Sequence, residues 1–561
     1  MLRLLALILI FVSVGAFAQQ KYFFKTFAPK PNTNGLSIEK IEDEYFVIGG
    51  YEDFDYTWDS FAYKMNAGGD SIGYNVQNFD DFIDQYDNSY SNDTSLLAVG
   101  FTIAETPDSQ KFYIAKYNVE LGLEFVSFMT VNDPNSILAL SNYKYAIAGA
   151  MIDTSDFVIK PSMNFFDPLT LEETAFYRYD TWQGDTYMYD ACVMGEFIYG
   201  AVGSDCLAYS NCDPYLAKFD FDGNLVNNVS LTNGFFDYTN PNVIEPLANG
   251  DLLVFMTLSH PNSDYPNTGY MILDTEGNKK NEELYFLQDE IVVRVSESNN
   301  GDWVICTSYF NPEKNHHIDI GIIRTDNDGN IKWKRTYGGD LSDYAYDMLV
   351  EEDGSIVITG RYESTIPIDT AISTYLLKTN CMGLLTEPQA AFGFQSCGLI
   401  TEFENQSLYV YPDSIDGGYY TWDFGDGATS DEINPTHSYT DEGVYQVSLT
   451  GIVCQDTSIV TFPVHVAIDT CYTFVDVPII DEKAIRLYPN PAADYLNVSI
   501  EGEFQENLFL EIYGINGALL HEREINSNNE RVSIDRFESG LYTYVVYSRK
   551  GILKRGKLVV K

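Results

Sequence analysis

Long Leu/Ala/Glu/Lys runs are missing from this chain of 561 residues, and helical periodicity appears nowhere in its first two-thirds, so helices are not what builds it. Histidine is scarce, at six residues, and the eight cysteines (192, 206, 212, 306, 381, 397, 454 and 471) lack the close double-pair spacing of a zinc site. Basic residues are few: 33 Lys and Arg stand against 82 Asp and Glu, a formal charge of −49. Nucleic acid and anionic membrane surfaces would repel such a surface and are excluded as partners. Beyond the N-terminus no stretch approaches the ~20 apolar residues of a membrane helix.

What the chain does have is aromatic side chains. Its 42 Tyr and 35 Phe favour strands, and its apolar content is ample for folding. The length predicts several domains. The acidity is uneven: residues 484–561 hold ten basic and ten acidic residues, whereas 19–483 hold 22 basic against 72 acidic, about −50. Solubility outside the cell is the plain reading of that charge, with calcium capture secondary. Arg3 precedes an apolar run from Leu4 to Val14, and Ala16-Phe17-Ala18 offers a small-x-small cleavage site. Residues 1–18 therefore read as a secretory signal peptide, and the cysteines can oxidise after export. Cys206 and Cys212 bracket a loop and are placed to pair locally.

A repeat organises residues 19–387. Its clearest copy combines the strand Ile356-Val357-Ile358-Thr359-Gly360, a second strand Tyr375-Leu376-Leu377-Lys378 and the turn Asn380-Cys381-Met382-Gly383. The first landmark recurs at Gly49, Gly100, Gly149, Gly203, Met256, Thr307 and Gly360; the second at Asn66, Asn118, Asp167, Asp220, Asp274, Asp326 and Asn380. Successive spacings of the second are 52, 49, 53, 54, 52 and 54. Seven units of ~52 residues, each supplying four short strands, have the size of propeller blades. Such small sheets cannot bury their faces alone and must stack, and a ring needs no polar end caps. Residues 21–27 resemble the last strand of a repeat, so they are expected to complete the blade begun by the seventh copy and join the ends. The wording around Gly338-Gly339, Asp343 and Glu352-Asp353-Gly354 resembles the bacterial delta-60 propeller repeats, which implies a propeller and no defined activity.

Residues 388–468 resemble a PKD domain, an Ig-like sandwich. The carrying residues are Trp422-Asp423-Phe424-Gly425-Asp426-Gly427, Asn434-Pro435, His437, Tyr439 and Gly443-Val444-Tyr445-Gln446-Val447. Trp422 and Phe424 share the core side of one strand, and Asp423 and Asp426 read as turn formers. In such a sandwich Cys397 and Cys454 would face each other, so a disulfide is expected there. By resemblance, PKD domains serve as spacers or as carbohydrate- or protein-binding modules. Residues 469–483 read as a linker. Residues 484–561 carry Tyr488-Pro489-Asn490-Pro491, Gly540-Leu541-Tyr542 and a basic end with Lys557 and Lys561. They resemble the type A C-terminal sorting domain of the type IX secretion system in Bacteroidetes. Alternating strands with Asn516-Gly517 in a hairpin make this segment a small β-sandwich. The resemblance implies contact with the type IX machinery, passage through the outer membrane, and removal of the domain with release or surface anchoring.

No catalytic motif survives inspection. Gly69-Asp70-Ser71-Ile72-Gly73 fits a nucleophile elbow in letters only, because it sits at the repeat's turn and lacks a following helix. His316-His317 has no partner set at i, i+4, and turns such as Asp326/Asp328 lack the ligand series of a calcium loop. No catalytic, cofactor or metal residues are assigned. The expectation is an all-β secreted or cell-surface binding or adhesion protein, a seven-bladed propeller with two sandwiches behind it, whose ligand is a polysaccharide or a surface protein. The alternatives are a polysaccharide hydrolase or lyase using the axial pocket, and a structural component of the envelope.

Overall fold

Alternating aromatic and β-branched residues between Asx/Gly turns fold throughout as antiparallel strands in the computed structural model. The structure describes residues 21–474 and 485–560 apart from short internal segments of up to seven residues. The expected signal peptide lies outside the described residues. Among the described residues, seven four-stranded units follow one another. Blade 1 comprises Thr33–Ile41, Glu44–Glu52, Trp58–Met65 and Ser71–Gln77; blade 2 runs from Ile83–Asn92 to Leu123–Met129. The two are joined by a single parallel bridge between Trp58 and Ile83. Blades 3 to 6 begin with the strands Asp133–Ala139, Tyr187–Met194, Thr239–Pro246 and Glu290–Glu297. Blade 7 contains Tyr344–Val350, Ile356–Ile366 and Asp369–Thr379, and its fourth strand is Phe23–Phe27 from the start of the chain. The first strands of successive blades pack side by side, and that of blade 7 packs on that of blade 1. The units thus form a closed ring around an axis.

Both sequence landmarks acquire a physical cause. The Asx residue closes each third strand and turns the chain with its own side chain: Asp326 Oδ1 accepts from the amides of Asp328 (3.0 Å) and Asn330 (2.8 Å). Asn66, Asn118, Asp167, Asp220, Asp274 and Asn380 do the same in the other blades. The first landmark lies beside a β-bulge, because the first strand of every blade carries one extra residue there; blades 5 and 6 place Met256 and Thr307 at that position in place of Gly. In blades 1, 2 and 7 the bulge brings a carbonyl against the neighbouring strand. A Cβ at Gly49, Gly100 or Gly360 would lie 1.8, 2.0 or 1.9 Å from that oxygen.

Behind the ring, one sandwich runs from Phe392–Gly398 and Ile400–Asn405 to Gly443–Val453 and the long strand Asp456–Phe474. Its core holds Trp422 and Phe424, with Phe392 at 5.1 Å from the Trp422 ring. The last segment forms a three-stranded sheet starting at Ile485–Tyr488 and a four-stranded sheet ending at Gly551–Val560. Ile485, Leu496, Val498, Leu510, Val546 and Leu558 fill the space between them.

Two expectations are corrected. Cys397 bonds to Cys471, and Cys454 bonds to Cys381; they do not bond to each other. The pairing register places Cys397 directly opposite Cys471, while Cys454 sits in the hairpin between Gly443–Val453 and Asp456–Phe474, which leans on the last propeller turn. The expected linker at 469–483 is strand as far as Phe474, held by that same Cys397–Cys471 bond. Cys206 and Cys212 are bonded to each other.

The Asx turns make a measurable claim. Burial pulls the Asp326 carboxyl upward, but the Asn330 side chain and the Asn330 and Asp328 amides together hold it below its usual range. Asp326→Ala is expected to cost about 1 kcal/mol in urea unfolding, whereas Asp326→Asn, which keeps the acceptor, costs less. A depressed native pKa contributes stability above the unfolded value near 4, lost as pH falls through the native value. The charge-dependent gap between the native chain and the Asp326→Asn variant should therefore close in acid.

Candidate functional site

Two places concentrate polar side chains, and they differ in how those side chains are used. The first is the axis of the ring. Glu39, Asp190, Glu245, Arg294 and Asp347 all stand on first strands of blades. Asp347 accepts from Ser37 Oγ (2.8 Å), the Ile38 amide (3.0 Å) and Arg294 Nε (2.9 Å), tying blade 7 to blades 1 and 6. Asp190 repeats the device in blade 4, accepting from Ser136 Oγ (2.9 Å) in blade 3 and the Ile244 amide (3.0 Å) in blade 5. Between blades 1 and 2, Ser89 Oγ donates to Ser37 Oγ at 2.8 Å. These groups are bolts between blades. Burial raises the Asp190 carboxyl despite its donors and Arg294, and pushes Glu39 up to about 7 despite the Ser91 hydroxyl, with Asp347 adding to the rise. Burial likewise pushes Glu245 up to about 8 against the pull of Arg294, aided by Asp190.

The second place is a cavity of about 410 Å³ where blades 6 and 7 meet the hairpin of the sandwich. Its propeller wall is the turn Ser296–Asn300 of blade 6 with Arg324, and the turn from Val350 to Gly354 of blade 7; its far wall is Cys454 and Gln455. The Cys381–Cys454 bond forms part of the lining and links the seventh Asx turn to the sandwich. Lys21 Nζ strengthens the same junction by reaching both Asp456 (2.7 Å) and Asp353 (3.3 Å). Arg324 is fixed by Asp302 (3.0 Å) and donates to the Cys381 carbonyl (3.4 Å). Burial pulls the Glu351 carboxyl upward, but donors from Lys378, Lys40 and Tyr45 hold it below its usual range. Ser355 and Lys21 do the same for Asp353. The cavity therefore presents ionised carboxylates, amides of Asn299, Asn300 and Gln455, and hydroxyls. A cavity of this volume at a domain junction has the dimensions of a small-ligand site.

The sequence motifs fall elsewhere. In the sandwich, Asp423 Oδ1 accepts from the Gly425 amide and Asp426 Oδ1 from the Ala428 amide, while Asp426 Oδ2 meets His437 Nε2 at 2.7 Å. His437 stacks on Phe424 at 4.1 Å, Tyr439 donates to the Phe424 carbonyl, and Trp422 Nε1 donates to the Glu432 carbonyl. Asn434 Oδ1 accepts from the Asn405 amide, and the Pro435 carbonyl from the Phe403 amide. All are turn and packing roles, with Gly427 at positive φ in the same turn. Tyr488 packs against Phe24, Gly540 opens the strand Gly540–Ser548, and Tyr542 packs on Phe537. Asn490, Pro491 and Lys561 lie outside the described residues, as does the side chain of Lys557. Ser71 is the exposed first residue of the strand Ser71–Gln77, without the helix a nucleophile elbow needs. Among the described residues, no group of three His, Cys, Asp or Glu side chains is arranged to hold a metal ion. The cavity itself was invisible in the sequence, because its walls come from segments about 100 residues apart.

The disulfide in the cavity wall closes a separation of 73 residues, for which chain entropy gives about 4 kcal/mol. Replacing Cys381 and Cys454 together by Ser should split the calorimetric unfolding of the ring from that of the sandwich, with the sandwich junction melting first.

Residues 388–459 match the family described as PKD domain, and residues 486–561 match that of the secretion system C-terminal sorting domain. Among curated proteins, the chain is similar to collagenase ColQ1 of Bacillus cereus (strain Q1), 29% identical over 134 residues, covering 23% of this chain and 13% of the collagenase. Collagenase ColA of Bacillus cereus (strain ATCC 14579) is 61% identical over 31 residues, 6% of this chain and 3% of that protein. The chain thus spans about an eighth or less of the length of these relatives. Among solved structures, it resembles the PKD1 domain of Vibrio anguillarum Epp, at 34% identity over 15% of this chain and 96% of that one, with a TM-score of 0.13. It also resembles the β-propeller domain of the Trilobed protease from Pyrococcus furiosus, at 9% identity over 64% and 97%, with a TM-score of 0.39. The chain is an all-β Bacteroidetes protein in which a propeller-like ring precedes a PKD domain and a secretion system C-terminal sorting domain, and the type IX route exports it to the medium or the cell surface.

Proposed function

We propose that this protein is a binding protein of the cell exterior, and that the cleft between the ring and the PKD hairpin holds a neutral, hydroxyl-rich ligand, a segment of polysaccharide. The observation that carries this reading is the lining of the 410 Å³ cavity by side-chain amides and ionised carboxylates. Sugar hydroxyls both donate and accept, so carboxylates and amides serve them equally well. The charge of −49 works against uronic-acid or sulfated chains, leaving neutral glycans as the favoured class. Glu351 and Asp353 are held ionised well below neutral pH, so neither can act as the general acid that glycosidic cleavage needs.

A glycan array with the full chain tests this. Neutral polysaccharides should bind and sulfated ones should not. Asn299→Ala and Glu352→Gln, both at exposed cavity positions, should each weaken binding about tenfold, the worth of one hydrogen bond. Because Glu351 and Asp353 have depressed pKa values, binding should stay level from pH 8 down to about 5 and be lost only as they protonate below their usual range near 4.

The axis supports a second reading, a hydrolase, since Glu39 at about 7 and Glu245 at about 8 are carboxyls still protonated near neutral pH. It predicts glycan turnover that disappears in Glu39→Gln or Glu245→Gln and falls between pH 7 and 8. Binding without turnover, unaffected by either substitution, excludes it.

A further inference from the structure

Residues 21–27 touch blade 7, blade 1, the PKD hairpin and the sorting domain. Phe23–Phe27 is the fourth strand of blade 7, and Phe23 lies on Gly69 of blade 1, where a Cβ would come within 2.2 Å of its ring. Lys25 Nζ donates to the Gly68 carbonyl (2.6 Å) and pairs with Asp70. Lys21 and the Tyr22 hydroxyl bind Asp456 in the PKD hairpin. Phe24 stacks on Tyr375 (5.3 Å), meets Tyr362 edge-on (5.6 Å) and carries the Tyr488 ring of the sorting domain (5.7 Å).

Around that aromatic seat the sorting domain makes further contacts with blade 7. The hydroxyls of Tyr495 and Tyr362 are 3.3 Å apart, and each residue is only 2% exposed. Arg486 donates to the Leu385 carbonyl. The Arg531 guanidinium lies 3.4 Å from the Tyr495 ring centre and holds it in place from behind. A Cβ at Gly339 would come within 3.0 Å of the Tyr495 hydroxyl, so the sorting domain sits close on the loop between blades 6 and 7.

We propose that the sorting domain docks on a surface that exists only when the ring is closed, so that its seat on the propeller reports completion of the fold. Half of that surface, Phe24, belongs to the first described strand of the chain; the other half, Tyr362, Gly339 and Leu385, belongs to the last blade and its approach. In an open ring Tyr362 and Tyr488 both lose the Phe24 ring. The sorting domain thereby reads whether the strand Phe23–Phe27 is in place. This does not depend on what the cleft binds.

Hydroxyl-radical footprinting of the full chain tests it, because tyrosine and methionine labelling report side-chain access. In the native chain Tyr362 and Tyr495 should be protected while Tyr74, 65% exposed, is labelled. Arg486→Ala should raise labelling of Tyr362 and Tyr495 at least fivefold, with Met65, buried in the seam between blades 7 and 1, still silent. Phe23→Asp, which opens that seam, should expose Met65, Tyr362 and Tyr495 together, with Tyr113 of blade 2 unchanged. Met65 labelled while Tyr362 and Tyr495 stay protected overturns the proposal. Where Phe23→Asp unfolds the whole chain, Phe24→Ala decides: it removes the seat and leaves Phe23 in the seam, so Tyr495 should be labelled with Met65 silent, and protection of Tyr495 there overturns the proposal equally.

Discussion

Phe23–Phe27 pairs with Asp369–Thr379, and the rest of the molecule depends on that pairing. A four-stranded blade of this size has too little interior to stand alone, so each blade is stable only with a neighbour on both sides. Closing the ring converts two free ends into one more seam. That seam buries Phe23, Ile38, Tyr45, Val47, Phe61 and Met65 against Val357 and Leu376. Each such side chain contributes about 1.5–3 kcal/mol when taken fully out of water. A polar clamp crosses the same seam: Glu351 accepts from Lys378 (2.7 Å) and Tyr45 (2.6 Å) and pairs with Lys40 (2.8 Å). The pairing joins opposite ends of a ring of some 360 residues, so its loop-closure entropy is offset only once the intervening blades are in place.

Charge is handled differently at the centre of the ring and at its edge. Along the axis, carboxylates are surrounded by amides and serines from two neighbouring blades, and they serve as bolts. Asp190 and Asp347 could not leave those roles without stranding donors on other blades. Burial pushes Asp190 and the two axial glutamates towards neutrality, because a carboxylate in that shaft loses its hydration. At the cleft, lysines and a tyrosine stand next to Glu351 and Asp353, which stay charged. The same residue type thus supports two different chemistries according to its neighbours.

The repeat was legible because its turn chemistry is local. An Asx side chain bonds amides two and four residues ahead, so Asp220, Asp274 and Asp326 announce themselves in any window of five residues. The PKD and sorting segments were legible for a similar reason: their motif residues pack or turn within short stretches, as Phe424, His437 and Tyr439 do. Disulfide connectivity was not legible. Cys397 could face either Cys454 or Cys471 until strand register was known, and Cys381 looked like part of a propeller turn with no business in the sandwich. Cys471 was hidden by a boundary placed at residue 468, six residues before the end of what is a continuous strand to Phe474.

By itself, the sequence determined the strands, their period, the turns between them and the address on the tail, because each rests on contacts within a few residues. Only the tertiary structure decided which cysteines meet, which acids become bolts and which remain charged, and that a cleft opens between the ring and the PKD hairpin. Those outcomes depend on side chains far apart in the chain being brought within a few ångströms, a distance that ring closure sets and no local pattern encodes.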